Sequence, residues 1–372
     1  MGTVPDKPPA TRRRERSRSA VPQAPPPGRP VGRHATARGA IASPEAGFTA
    51  QQFAALVDQL VDDGSREHYA DAALYDYEYR RRRADVTFYR ELARRRGADR
   101  ILELGAGTGR VTVPLARDGR QVVAVDRSDA MLGRLRARIT RLPAPVAARI
   151  TPMAGDLRSF SAGGRFPLVI AAFNVLEHLY TGSEVVTCLQ RVAAHLAPGG
   201  AFAFDVQLPD LLWLARDPSR RWARTRFTDP TTGRTMYYST NHDYDPVRQI
   251  AMIRLYYEPA EPAAPPGAPT PGPRARRGRR AAAGGGDPGG ADPDRLTGTL
   301  GPGAVPGETR VIQLSQRKFF PAELEALVAH AGFRVVARYG DFSFQPLDGT
   351  ADSQVLVCEP VAQSARRRPS SR

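Results

Sequence analysis

The chain has 372 residues, enough to bury a sizeable core in one large or two ordinary domains. Its 34 glycines and 34 prolines are unevenly spread, and its 2 cysteines, Cys188 and Cys358, exclude a disulfide framework and a cysteine-based metal site. A formal net charge of +16 invites a polyanionic partner, yet ten of those sixteen charges lie in residues 1–46 and the last twelve residues. Only Lys7 and Lys318 are lysines, so the basic residues are almost all arginine. No apolar run approaches the roughly 18 residues of a membrane span, and the arginine-rich start lacks a signal-type apolar segment. The expectation is a cytoplasmic, soluble protein with no membrane partner.

In chain order, residues 1–46 form an Arg/Pro-rich tail without apolar periodicity, expected to be disordered. Phe53, Leu56, Val57 and Leu60 have helical spacing within 48–63, and a second helix is predicted over Asp85–Arg96, giving a helical cap over 47–97. Strand-like ILELG (101–105), QVVAVD (121–126), RITPMAGD (149–156), PLVIAAF (167–173) and AFAFDV (201–206) then alternate with helical VTVPLAR, DAMLGRLRARIT and EVVTCLQRVAAHL. Apolar strands separated by helices predict a parallel, doubly wound sheet. After Pro209 the pattern changes to RWARTRFTD, RTMYYSTNHDYD, QIAMIRLYYE and TRVIQLSQR, rich in aromatic and β-branched residues. These predict an antiparallel sheet inserted over 211–314, with the Pro/Gly-rich segment 258–308 as its disordered hairpin loop. The amphipathic PAELEALVAHAG and the strands FRVVARYG and SQVLVCEP complete the α/β domain, which thus spans 47–210 and 315–361. Residues 362–372 form a disordered basic tail. The fold class is therefore α/β: a doubly wound, Rossmann-like, mostly parallel sheet with an inserted antiparallel sheet and disordered tails.

In an open α/β sheet the ligand sits beyond the carboxyl ends of the strands. Gly105, Gly107 and Gly109 stand at the first such end, where a backbone can approach a ligand closely. A dinucleotide fingerprint would place glycine at 110, which is Arg110, and no Walker lysine is present. Glu103 ends the first strand, where an acid suits a ligand ammonium better than a pyrophosphate. Asp126, ending the second strand, can accept both ribose hydroxyls. Asp156, in Gly155-Asp156-Leu157, can accept from the exocyclic amine of a base. Together they describe a nucleoside with a cationic, phosphate-free attachment.

ELGAGTGR, VVAVDRS, AGDL, FPLVIAAFNVLEHL and LAPGGAFAFDV, in this order, resemble the class I S-adenosylmethionine-dependent methyltransferases. The resemblance covers about 97–210, and 315–360 fits the last helix and strands of that family. It implies that Glu103, Gly105, Ala106, Gly107, Thr108 and Gly109 hold the methionine end of S-adenosyl-L-methionine, Asp126 the ribose, and Asp156 with Leu157 the adenine. Arg127 and Met131 would flank the ring, and Phe173 and Asn174 would lie below the methionine. Pro167 departs from the family's usual Asp. The sheet insert after the fifth strand is similar to that of small-molecule methyltransferases in which it roofs the acceptor pocket. Tyr75 and Tyr79 resemble the tyrosines that close over the cofactor there.

Methyl transfer needs proximity and orientation, with a base when the nucleophile arrives protonated. His178 in NVLEHL follows the fourth strand and is the candidate catalytic base. Glu177 could instead orient an amine, and His242 on the inserted sheet is a further candidate. One Glu-His pair does not make a metal site. The [DN]-P-P-[YFW] motif of base-amine methylation is replaced by Asn174-Val175-Leu176-Glu177, and no Pro-Cys nucleophile is present. The expected function is methyl transfer to nitrogen or oxygen of a small-molecule acceptor. The competing readings are an RNA or protein methyltransferase recruited by the basic tails, and a non-catalytic cofactor-binding protein.

Overall fold

The computed structural model describes residues 50–229, 232–260 and 309–361. The expected tails at 1–46 and 362–372, and all but the first residues of the expected loop at 258–308, lie outside the described residues. Four helices come first: α1 (Ala50–Gly64), α2 (Glu67–Ala70), α3 (Ala72–Glu78) and α4 (Ala84–Arg95). Asp71 caps α3 by accepting from the amides of Ala73 and Leu74.

The alternating section then runs β1 (Arg100–Leu104), α5 (Thr112–Arg117), β2 (Gln121–Asp126), α6 (Asp129–Ile139), α7 (Ala144–Ala147), β3 (Ile150–Ala154) and β4 (Phe166–Ala171). A 3-10 turn (Val175–His178), α8 (Gly182–His195) and β5 (Leu196–Gln207) follow. Pro114 sits in the first turn of α5, where proline is tolerated. Thr181 and Glu184 close a capping box at the start of α8. β5 begins earlier than expected, at Leu196, because Pro198-Gly199-Gly200 is absorbed where the register against β4 shifts.

After α9 (Leu211–Leu214) come β6 (Trp222–Thr228), β7 (Thr235–Asp245), β8 (Ile250–Pro259) and β9 (Arg310–Arg317); then α10 (Pro321–His330), β10 (Phe333–Tyr339) and β11 (Ser353–Pro360). The larger sheet has the order β10-β11-β5-β4-β1-β2-β3. β1 through β5 pair in parallel, while β11 runs antiparallel between β5 and β10. The strand order reverses between β1 and β4, the point at which such sheets bind ligands. Alternate residues face opposite sides. Leu102, Leu104, Val169, Phe202 and Phe204 pack with α8 and α10, whereas Ile101, Leu168, Ile170 and Ala203 pack with Phe88, Tyr89 and Leu92 of α4.

The second sheet, β6-β7-β8-β9, is antiparallel throughout. β8 continues through Pro259, so strand replaces the first residues of the expected loop. One face, with Tyr238, Ile253, Leu255 and Tyr257, packs on Leu74 of α3 and Leu214 of α9. On the other face, Ile250 and Met252 meet Val57 and Val61 of α1. The N-terminal helices thus join the inserted sheet into one roof beside the carboxyl ends of β1, β2 and β4.

Candidate active site

Below this roof is a cavity of about 440 Å³, within the range of about 300–1,000 Å³ usual for small-ligand sites. Of the residues singled out from sequence, its wall includes Gly105, Gly107, Asp126, Arg127, Met131, Asp156, Leu157, Phe173, Tyr75 and His178. Glu103, Ala106, Thr108, Gly109, Asn174 and Tyr79 do not line it. Each has another position in the same structure.

The glycine loop is held from both sides. Gly107 has φ +56°, and a Cβ there would meet nothing within 4 Å. Its amide donates to Asp126 Oδ2 (2.7 Å), while Asp126 Oδ1 accepts from the Ser128 amide (2.8 Å). Asp126 therefore fixes the loop, and its oxygens retain lone pairs. Gly109 serves packing, since a Cβ would lie 2.4 Å from Leu135 Cδ1 of α6. Arg110 forms a buried, two-pronged pair with Asp85 of α4, both contacts at 2.7 Å. The position is thus committed to an ion pair, which explains the arginine where a dinucleotide loop has glycine. Glu103 turns to Thr112, whose hydroxyl donates to it at 2.6 Å, and burial pushes its carboxyl up to about 8. It is not brought to the cavity as an ammonium partner. Thr108 donates to Asp76 of α3, which also accepts from Arg134 and Arg138 of α6.

Asp156 pairs with Arg158, which holds its carboxyl below the ordinary value and links it to Glu184. Phe173 and Asn174 both adopt positive φ, +72° and +60°, a strained choice for non-glycine residues. Asp205, at the end of β5, offsets that strain by accepting the Phe173 amide (2.8 Å), the Asn174 amide (3.3 Å) and the Tyr89 hydroxyl (2.6 Å). Tyr79 packs edge-on against Phe173 at 4.7 Å, and its hydroxyl lies 3.3 Å from His68 Nε2. Tyr75 reaches the cavity itself, and burial pushes its hydroxyl up to about 12.

His178 is held on both nitrogens, with Nε2 2.6 Å from Tyr69 Oη and Nδ1 3.4 Å from Tyr180 Oη. Burial, with Arg127 nearby, pushes it down to about 3. The ring is neutral and weakly basic, unlike the base expected from its ordinary pKa. Glu177 is fully buried and pairs with Lys318 Nζ at 2.9 Å, so it cannot orient an acceptor in the cavity. His242 stacks on Trp213 at 3.7 Å and bonds its carbonyl at 2.9 Å, away from the cavity wall. Among the described residues no three His, Cys, Asp or Glu side chains are grouped to hold a metal ion, and no helix is long and apolar enough to cross a membrane.

Ser65, Arg66, Tyr69 and Arg158 also line the cavity without belonging to a motif. Asp205 did carry a signal, an acid ending an apolar strand, the same signal that marked Glu103. Tyr69 carried none, because its importance depends on a partner far along the chain.

The cavity fits an adenosyl sulfonium: an open glycine turn, a carboxylate on backbone amides, a second carboxylate and apolar rings share one wall. Sheet order and site together define a class I S-adenosylmethionine-dependent methyltransferase fold. Residues 101–200 match the family model described as a methyltransferase domain. Those residues carry a methyltransferase domain. It is similar to a cypemycin N-terminal methyltransferase from Streptomyces sp., 35% identical over 109 residues, covering 29% of this chain and 42% of the relative. A dTDP-3-amino-3,4,6-trideoxy-alpha-D-glucopyranose N,N-dimethyltransferase from Streptomyces venezuelae is 28% identical over 132 residues, 34% of this chain and 52% of that protein. The chain thus spans about half the length of these relatives or less. The solved CcbJ methyltransferase from Streptomyces caelestis shares the fold with a TM-score of 0.54 at 23% identity, covering 75% of this chain and 90% of that one.

Proposed function

We propose that the protein transfers a methyl group from S-adenosylmethionine to nitrogen or oxygen of a small-molecule acceptor. The observation that carries this reading is the single cavity shared by the glycine loop, Asp126, Asp156 and the aromatic roof. When bound, the cofactor supplies an electrophilic methyl on a positively charged sulfur. In this reading the loop around Gly105 and Gly107 holds the methionine end. Asp126 accepts from the ribose, and Asp156 with Leu157 meets the adenine. Arg127 and Met131 flank the adenine, and Phe173 and Tyr75 exclude water from the sulfonium. The enzyme orients the acceptor and desolvates it; the charge lost on transfer makes the dry, aromatic wall favourable to reaction. Relatives named for the N-terminus of cypemycin and for an amino sugar support a small acceptor. The protein then works as a soluble cytoplasmic enzyme, and its basic tails take no part in recruiting RNA.

Calorimetry with S-adenosylhomocysteine tests the site: Asp126→Ala should weaken binding at least 10-fold, about 1.4 kcal/mol. Unchanged affinity would remove Asp126 from the cofactor site. Incubation with radiolabelled cofactor and whole-cell extract should place label in the small-molecule fraction, unaltered by deletion of residues 1–46. Label in RNA or protein would overturn the acceptor class, and binding without any transfer would mark a non-catalytic protein.

A further inference from the structure

Tyr69, His178, Tyr180 and Ser315 form a chain of hydrogen bonds whose direction can be worked out. The Tyr180 hydroxyl donates to the Ser315 carbonyl on β9 at 3.0 Å. A phenol has one proton, so the Tyr180 oxygen can only accept from His178 Nδ1, 3.4 Å away. Nδ1 therefore carries the ring hydrogen and Nε2 the lone pair. Tyr69 must donate to Nε2, at 2.6 Å, and its only proton is spent there. Tyr69 lines the cavity, so its hydroxyl offers a bound acceptor an oxygen that receives hydrogen bonds and gives none.

Among the described residues, His178 is the one histidine that lines the cavity, and it is not a strong base. Both nitrogens of His178 are engaged, and its ring is kept neutral by burial and by Arg127, His68 and Lys318 around it. A hydroxyl acceptor would need a base to become nucleophilic, whereas an amine that enters neutral needs none. Glu177 pairs with Lys318 and does not supply one.

We propose, resting on the methyltransferase reading above, that the acceptor is a neutral primary or secondary amine, held through its N–H by Tyr69 Oη. Tyr69 touches the substrate, and His178 is the positioning residue that fixes its polarity. The amine lone pair forms the bond to the methyl carbon as the carbon–sulfur pair withdraws onto sulfur. The resulting ammonium keeps its proton until the product reaches water. A tertiary amine has no N–H for Tyr69, so methylation stops before a quaternary ammonium forms.

Nitrogen NMR of the histidine-labelled full chain tests the polarity without any ligand. His178 should show the neutral Nδ1–H form from pH 5 to 9, and Tyr69→Phe should move its Nε2 resonance downfield by removing the donor. The Nε2–H form, titration near pH 6.5, or an unmoved resonance would overturn the assignment. The acceptor class is tested with the small-molecule pool of the cell, untreated or treated in water with N-hydroxysuccinimide acetate, which blocks amines and spares alcohols. Label transfer should fall at least 10-fold after treatment, and mass spectrometry should find no quaternary product; undiminished transfer would overturn the amine. In the untreated pool Tyr69→Phe should lower kcat at least 10-fold with S-adenosylhomocysteine affinity within 2-fold, and unaltered kcat and KM would remove Tyr69 from the acceptor. A protein that binds S-adenosylhomocysteine yet labels nothing fails the activity itself, which the tautomer measurement does not depend on.

Discussion

The floor of the cavity and its roof are organised in opposite ways. On the floor, the contacts of the ribose-side carboxylate are short-range: Asp126 bonds Ser128 two residues on and Gly107 19 residues back. In the roof, the partners are remote in sequence. Tyr69 and His178 are 109 positions apart, Tyr180 and Ser315 are 135, and Glu177 and Lys318 are 141. The roof's contacts depend on how three separate segments meet.

The largest test of that contrast lies at the seam. Lys318 Nζ is 1% exposed on its side chain and contacts Glu177, Gln207 and Gln316 at 2.8–2.9 Å. Lys318→Met leaves the Glu177 carboxylate buried without its cation, a loss of about 3–5 kcal/mol. Chemical denaturation should show this as one cooperative destabilisation, partly restored by adding Glu177→Gln. A loss below about 1 kcal/mol would mean that the roof is not fastened to the floor there.

A smaller effect concerns the floor and pH. Burial places the Glu103 carboxyl at about 8, above its ordinary 4.5, so between these values the folded chain holds a proton that the unfolded chain releases. Its contribution to stability is full below about 4.5 and declines as pH rises toward 8. Glu103→Gln should flatten the fall in Tm over that window; an unaltered slope would show Glu103 ionised in the folded protein. Glu78, buried against Tyr257 in the roof, also lies at about 8 and adds to the slope that remains.

The smallest effect is expected where roof and floor touch through Asp76. Its contacts to Thr108, Arg134 and Arg138 tie α3 to the glycine loop, and the arginines are partly exposed. Partly exposed ion pairs contribute up to about 1 kcal/mol. Asp76→Ala should weaken S-adenosylhomocysteine roughly 3-fold by calorimetry, and a loss beyond about 30-fold would make α3 part of the cofactor site proper.

The same contrast accounts for what was legible in the sequence. The α/β sheet and the inserted antiparallel sheet follow from apolar runs and alternation, because strand burial is a local pattern. Gly105, Gly107, Asp126 and Asp156 were found at strand ends, and the structure brings them to one wall. Glu103 and Thr108 belong to the same motif but turn to Thr112 and Asp76. Motif spacing fixes the backbone path, and side-chain direction depends on partners outside it. His178 was visible as a residue type, but its weak basicity comes from burial and from Arg127, neither of which its neighbours in sequence announce. Tyr69 and Lys318 acquire their roles only from the fold.

The excursion from the main sheet begins after Gln207 and ends before Lys318, and the side chains of these two residues touch at 2.8 Å. A detour that leaves and re-enters at one point is transferable. Exchanging everything between Gln207 and Lys318 for the corresponding stretch of a relative imposes no new distance on the seven strands behind it. The junction is therefore a natural place to recombine related chains at this sheet.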